Sequence, residues 1–319
     1  MNHTTLSVVI PVFNEAENLP VLISRLQKVA GELSAESLEF IFVDDGSRDR
    51  SFEQLKEFSR EDSRVKALKL SRNFGSHAAC LAGIAHAQGE RSLLMAADLQ
   101  DPPELIPRLL AAQTPAIDVV WARREKREDP KLTLFFAGLY NRLMRRLVFR
   151  DWPGEGADVV LFTKRVREAL LQWPEKNTSI FGQIFWLGFH QAGISYVKAR
   201  RRAGCSKWNF SKRLKLGLDS ILSFSFFPIR LISYIGLAVS LIGFLYAGLI
   251  VFLRLSGLTR VPGWATLMIV LLVVSGIQLL TLGVIGEYLW RTADQVKSRP
   301  IYVVAEQVGL GKEHAHREA

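Results

Sequence analysis

The stretch LSVVIPVFNE, residues 6–15, decides the architecture. Its apolar, β-branched half reads as a buried strand, and the polar FNE marks the loop that follows. The same unit recurs along the chain. LEFIFVD (38–44) runs into DDGS (44–47), VKALKL (65–70) into SRNFG (71–75), and RSLLMAA (91–97) into DLQD (98–101), with DVVWA (118–122) as a fifth run. Helical stretches separate them at 16–31, 51–62, 76–88 and 103–112. Strand, helix, strand, repeated, implies an α/β fold: a mostly parallel sheet with helices on both faces. In such a sheet the polar clusters fall together at the carboxyl ends of the strands, where ligands bind. Four clusters in register are more than the ordinary polarity of loops.

Composition divides the remaining chain. Of 319 residues, 49% are hydrophobic and 23% charged, and the two classes are segregated. FPIRLISYIGLAVSLIGFLYAGLIVFL (227–253) has one charge, Arg230, near its start, and WATLMIVLLVVSGIQLLTLGVIGEYLW (264–290) has only Glu287, near its end. Each run exceeds the roughly 20 residues that cross a bilayer as a helix, and neither shows the polar face of a buried soluble helix. Glu287 is read as solvated at the interface. The beginning MNHTTLSVVIPVFNEAEN lacks a basic segment followed by an apolar stretch. The first ~225 residues are therefore expected in the cytoplasm. Lys207, Lys212, Arg213, Lys215 and Arg230 precede the first run and Arg291, Lys297 and Arg299 follow the second, against Arg254 and Arg260 between them. By the positive-inside rule both ends face the cytoplasm of an inner membrane. The net charge of +10 is accordingly assigned to an anionic membrane surface and not to nucleic acid. The two cysteines, Cys80 and Cys205, form no disulfide or zinc framework and are read as reduced.

Two further segments point to the membrane surface. LTLFFAGLYNRLMRRLVFR (132–150), behind the charged RREKREDPK (123–131), reads as a basic amphipathic helix, either interfacial or packed on the core. SKWNFSKRLKLGLDSILSFSFF (206–227) sets Trp208 and Phe210 among cations just ahead of the first apolar run, and an interfacial helix is favoured. The expected organisation is a cytoplasmic α/β domain over 1–205, an interfacial helix over 206–226, a membrane hairpin over 227–290 and a cytoplasmic tail over 291–319.

Among the polar clusters, Asp44 is assigned to ligand contact, whereas Ser47 and Asp49 are assigned to capping the next helix. In DLQD, Asp98 and the Gln100 amide offer hard oxygens. Mg²⁺ or Mn²⁺ in a nucleotide site needs only one or two protein oxygens, with phosphates and waters completing the shell. Asp101, ahead of Pro102 and Pro103, is read as a helix cap. His77, His86 and His190 have no metal spacing and are read as structural.

SVVIPVFNEAENL, FVDDGSRDRS, LSRNFGSHAACLAGI and ADLQDPPELIP resemble family 2 glycosyltransferases with the GT-A fold. The similarity extends through RRAGCSKW (201–208), SFSFFPIRLISYIG and IGEYLWR nearly to RPIYVV, and is greatest to the polyprenyl-phosphate glycosyltransferases. That resemblance implies a nucleotide-diphosphate sugar as donor, a polyprenyl phosphate as acceptor and Mg²⁺ or Mn²⁺ as cofactor, and it allows a homo-oligomer built through the spans. It implies that Pro11, Phe13 and Glu15 hold the nucleotide base, Asp44 the nucleoside, Ala97 and Asp98 the nucleotide–metal loop, and Asp98 with Gln100 the metal. Arg124 matches an arginine that meets phosphate, Asp158 the acid of a GDFRL-type motif, and Arg201, Ser206 and Lys207 a phosphate-binding stretch. The sequence departs from the pattern in three places: Ala96 for the first acid of DxDLQ, Val159 and Val160 for Phe-Arg, and Cys205 for Glu.

The reaction so implied inverts the anomeric centre by direct displacement. A phosphate monoester with a second pKa near ~6 is already largely ionised at neutral pH, so its oxygen needs alignment more than a general base. Asp158 is left to orient either the acceptor or a sugar hydroxyl. A processive polysaccharide synthase would need more spans and a QxxRW motif, and neither is present. The alternative from another class is a catalytically degenerate membrane scaffold, suggested by Ala96 and the altered DVV.

Overall fold

The computed structural model describes residues 4–33, 37–125, 158–173, 175, 178–198, 225, 227–256 and 263–310, together with 138, 142, 145 and 146. They fall into two compact units, one of residues 1–220 with 300–319 and one of residues 221–299.

The first unit is built on an eight-stranded sheet. Its strands are β1 (Leu6–Val12), β2 (Leu38–Asp44), β3 (Val65–Leu70), β4 (Arg91–Leu94), β5 (Val119–Arg124), β6 (Val159–Thr163), β7 (Gln191–Tyr196) and β8 (Val304–Val308). Across the sheet they run β7-β5-β6-β4-β1-β2-β3-β8. The pairs β4–β1, β1–β2, β2–β3 and β5–β7 are parallel. β6 opposes both β4 and β5, and β8 opposes β3. The expected α/β fold with a mostly parallel sheet is therefore present, with two additions. β6 inserts between β4 and β5, and the segment after the second apolar run, expected only as a tail, supplies the edge strand β8.

The strands read as near-continuous apolar runs because both faces are covered. Alternate residues divide between two cores. Leu6, Val8, Ile10 and Val12 of β1 enter one core and Val9 enters the other. The first core is closed by α1 (Leu19–Glu32), α2 (Ser51–Glu61) and α4 (Leu105–Ala112). The second is closed by α3 (Ser76–His86), α5 (Lys164–Gln172) and α6 (Ile180–Trp186). α1 shows why such a segment is helical: Leu19, Leu22, Ile23, Leu26, Val29 and Ala30 form one buried stripe at three- and four-residue spacing. α3 is small-residue rich because it lies close on the sheet. A Cβ at Gly83 would stand 2.3 Å from a Val9 methyl.

The second unit contains α7 (Phe227–Leu255) and α8 (Trp264–Val296). Residues Ile229–Leu253 and Thr266–Val296 are long and apolar enough to cross a membrane, with mean hydropathies of 2.4 and 2.5. α8 continues beyond the expected apolar run by a further turn and a half. Large apolar side chains such as Leu237 and Phe244 are 70% and 75% exposed, far from what water tolerates as a continuous surface. The hydroxyls of Ser233, Ser256 and Thr281 donate to carbonyls one turn back, at 2.8–3.0 Å, so they require no outside partner. Glu287 is paired with Arg291 one turn later, at 3.0 Å. Of the amphipathic stretch 132–150 only positions 138, 142, 145 and 146 are described, all helical and exposed. The proposed interfacial helix 206–226 lies outside the described residues, Ser225 excepted.

Candidate active site

Because β1–β5 and β7 point one way, the loops after them share one edge of the sheet. β6 runs the other way and so brings its first end, with Asp158, to that same edge. The order of the strands reverses between β1 and β4, which in open α/β sheets opens a crevice at the carboxyl ends.

The loops after β1 and β2 are stitched together. Pro11 lies within β1 opposite Val43, and Phe13 and Glu15 follow the strand. Asn14, at φ 52°, takes the left-handed conformation that asparagine tolerates. Its N–H donates to Ser47 Oγ and its Oδ1 accepts from the Arg48 N–H, both at 2.8 Å. Ser51 Oγ accepts from the Glu15 N–H at 2.9 Å, and Asp49 Oδ2 from the Ala16 N–H at 3.1 Å. Asp49 Oδ1 also accepts from the Ser51 N–H at 3.1 Å, but it is not the helix cap expected of it: Arg50 stands at the N-cap of the helix that begins at Ser51. Ser47 is not a helix cap; its hydroxyl holds the loop after β1 in place. The turn requires Gly46, which sits at φ 70° with its Cβ position 2.6 Å from the Arg72 backbone.

Asp44 ends β2 with no exposed surface. One carboxylate oxygen accepts from the Ser47 N–H at 2.9 Å; the other is buried with no hydrogen-bond partner. Burial holds its pKa above the ordinary carboxylate value. Such an acceptor suits a hydroxyl or amine donor brought by a ligand. Asp45 instead accepts two backbone N–H groups, from Phe74 at 2.7 Å and Gly75 at 2.9 Å, and so fixes the loop ahead of α3. Burial outweighs these bonds and raises its pKa to about 6. The folded chain therefore keeps a proton that an unfolded aspartate releases near 3.8. Between those values the folded state binds more protons, so this group's contribution to stability falls as pH rises from about 4 to about 6. Asp45→Asn is expected to flatten that slope, measured by urea denaturation of the detergent-purified protein across the same pH range.

The loop after β4 carries the acids. Ala97 is buried, and Ala96 and Asp98 are half-buried. Leu99 turns the loop at φ 60°, and the Gln100 N–H donates to Asp98 Oδ1 at 3.1 Å. Asp101 is not a helix cap: α4 begins at Leu105, and Asp101 is fully buried. Its Oδ1 accepts the hydroxyl of Tyr196 and lies 3.5 Å from Lys198 Nζ, while its Oδ2 is buried without a hydrogen-bond partner. Lys198 Nζ also donates to Asp158 Oδ2 at 2.9 Å, and Arg124 pairs with that same oxygen. Arg124 and Tyr196 lie side by side in the β5–β7 register. Burial pulls Lys198 below the ordinary amine pKa, against the opposing pull of Asp101 and, more weakly, Asp98. Burial, with Asp101 beside it, raises Tyr196. The site is thus an alternation of charges, Asp101–Lys198–Asp158–Arg124, next to Asp98.

The structure brings together Asp98, Arg124 and Asp158 from the expected set, with Pro11 and Asp44 near the ends of the neighbouring β1 and β2 and Phe13 and Glu15 on the loop after β1. Arg201, Ser206 and Lys207 lie outside the described residues. Val159 and Val160 are core residues on opposite faces of β6. Two cations, Arg124 and Lys198, pair with Asp158 just ahead of them. Tyr196 and Lys198 escape the sequence reading, and Asp101 enters it only as a helix cap. The sole signal for them is an acid directly after the proposed ligand Gln100 and a cation just past a strand end. Cys80 is buried, and burial lifts its thiol to about 12, as befits an unreactive core cysteine.

A metal can be tested against the donor set. Among the described residues no three His, Cys, Asp or Glu side chains form a group able to enclose an ion. Asp98 and Gln100, two hard-oxygen residues on one tight turn, fit a divalent ion that keeps most of its shell from phosphates and water.

Comparison with known proteins follows the same line. The Glycosyl transferase family 2 model matches residues 7–171. An uncharacterised glycosyltransferase of Bacillus subtilis, YkcC, is 39% identical over 320 residues, covering 99% of this chain and 98% of its own length. The undecaprenyl-phosphate 4-deoxy-4-formamido-L-arabinose transferase of Proteus mirabilis is 35% identical over 315 residues, covering 98% and 96%. A prophage-derived bactoprenol glucosyl transferase of Shigella flexneri is 35% identical over 300 residues, covering 94% and 97%.

Proposed function

Since the chain belongs to glycosyl transferase family 2, we propose that it moves a sugar from a nucleotide-diphosphate sugar to a polyprenyl phosphate at the membrane. A UDP-sugar is the favoured donor, with a GDP-sugar the other option, and undecaprenyl phosphate is the acceptor. The observation that carries this reading is the charged cluster of Asp98, Arg124, Asp158 and Lys198 at the ligand edge of a chain with two membrane-length apolar helices. Relatives named for the same lipid carrier match over nearly the full chain.

In this reading Pro11, Phe13, Glu15, Asp44 and Ala97 form the nucleoside side of the crevice. Asp44 accepts a hydrogen bond through its unpartnered oxygen. Asp98 and Gln100 would hold Mg²⁺ or Mn²⁺, which when bound supplies positive charge to the departing diphosphate. Arg124, Arg201, Ser206 and Lys207 serve the phosphates of donor and acceptor. The acceptor oxygen is already anionic near neutral pH, its second pKa being about 6, so the protein's task is to align it and offset repulsion between anions. Asp158, held by two cations, orients the incoming group. Displacement from behind the anomeric carbon inverts it.

Connectivity supports a hairpin. The sheet receives strands from before α7 and from after α8, and a single sheet cannot be divided by a bilayer. Two spans therefore return the chain to the side it left. The cations flanking the spans support a cytoplasmic side for both ends at an inner membrane. The product is a lipid-linked sugar for the cell envelope.

The test is a panel of radiolabelled UDP- and GDP-sugars incubated with membranes holding the protein, with and without added undecaprenyl phosphate. Acceptor-dependent label in the organic extract from one donor is the expected result. Donor hydrolysis alone, or binding without turnover from any donor, would overturn the transfer reading.

A further inference from the structure

Lys198 links two parts of the site with separate tasks. Its ammonium lies 3.5 Å from Asp101, on the loop that carries Asp98, and 2.9 Å from Asp158, at the start of β6. Exposure rises along this chain of contacts: Asp101 has none, the Lys198 side chain 14% and the Asp158 side chain 40%. The buried end is therefore an anchor and the open end addresses the crevice. Tyr196 secures the anchor by donating its hydroxyl to Asp101. Arg124 and Lys198 both fall on Oδ2 of Asp158.

We propose that Lys198 is a positioning residue of the transfer reaction: anchored on Asp101, it holds the Asp158 carboxylate in register with the Asp98 loop, so that donor and acceptor meet in one geometry. A buried acid needs a cation nearby, so a rival role is simple neutralisation of Asp101. The two roles separate cleanly. If Lys198 only neutralises Asp101, removing both charges together restores everything. If Lys198 positions Asp158, removing both restores the fold but not the rate.

This inference rests on the transfer reading above, and the experiment keeps the two apart. The full-length protein in detergent or membranes is assayed with its labelled donor and undecaprenyl phosphate as wild type, Lys198→Met, Lys198→Arg and the double variant Asp101→Asn/Lys198→Met. Misplacing a reacting group by an ångström costs on the order of a hundredfold, and that is the expected fall in kcat for Lys198→Met, with the donor KM changed less than about threefold. Lys198→Arg is expected to recover part of the rate. The double variant is expected to recover the wild-type Tm while kcat stays low. Full kcat in Lys198→Met, or return of kcat together with Tm in the double variant, would overturn the positioning role. Absence of transfer by the wild type would instead overturn the function on which it stands.

Discussion

Asp98→Asn is expected to abolish transfer of sugar label into lipid, a loss on the order of a hundredfold or more, matching several kcal/mol of lost charge stabilisation. The substitution is a narrow one. Asparagine keeps an oxygen for the Gln100 N–H, which now donates to Asp98 Oδ1 at 3.1 Å, so the turn through Leu99 can persist. What disappears is the anionic hard oxygen proposed to hold a divalent ion against the donor's diphosphate. The loss should therefore appear in kcat and in Mn²⁺ dependence, with Tm unchanged. Ala96→Asp is the companion measurement. Position 96 is half-buried and can present a carboxylate to solvent, so transfer should persist in that variant. Full activity in Asp98→Asn would remove the metal assignment, and with it the account of how the leaving group departs.

Glu39→Ala should produce the largest loss of stability, about 3–5 kcal/mol, because it strips one partner from a buried ion pair. Glu39 lies in β2 with 2% of its surface exposed. Its carboxylate pairs with Lys66 on β3 and accepts the Ser7 hydroxyl from β1 and the Gln88 N–H, the last at 2.7 Å. Ser7 Oγ in turn accepts from the Gly89 N–H at 2.8 Å. Arg167 of α5 closes the group by donating to the Gly89 carbonyl. This network joins the first ends of three adjacent strands, opposite to the ligand edge. Alanine would leave a largely buried cation and two donors without their acceptor, against a total stability of roughly 5–15 kcal/mol for a typical domain. Glu39→Gln should cost less, since an amide oxygen still serves the Ser7 hydroxyl and the Gln88 N–H. Urea denaturation of the purified protein measures both. An unchanged midpoint in Glu39→Ala would show that the network carries no stability.

The two predictions also mark how far the sequence could be read. β1 to β4 and their helices announce themselves because their signals are local: apolar runs of strand length, amphipathic spacing and a polar cluster after each strand. The membrane-length helices are legible for the same reason. β6 and β8 are not, since each is five residues long and is defined by partners far along the chain. Asp98 is singled out by the polar cluster DLQD that follows an apolar run. Asp101 was misread because a nearby proline pair suggested a cap, whereas its true partners, Tyr196 and Lys198, lie nearly a hundred residues away. Ser47 was misread in the same way; its hydroxyl serves a loop 33 residues earlier. In each case the short-range rule lost to a tertiary contact that no window of sequence contains.

β8 has a consequence for how the molecule is made. Translation delivers β3 early, yet the strand that covers its outer edge emerges only after both apolar helices have left the ribosome. Until then β3 presents a row of unpaired amides and carbonyls, the kind of rim on which nascent chains stick to one another. The glutamate of the late strand, Glu306, completes the seam by pairing with Lys56 of α2. Closure of this edge of the sheet therefore waits until both apolar helices have been synthesised.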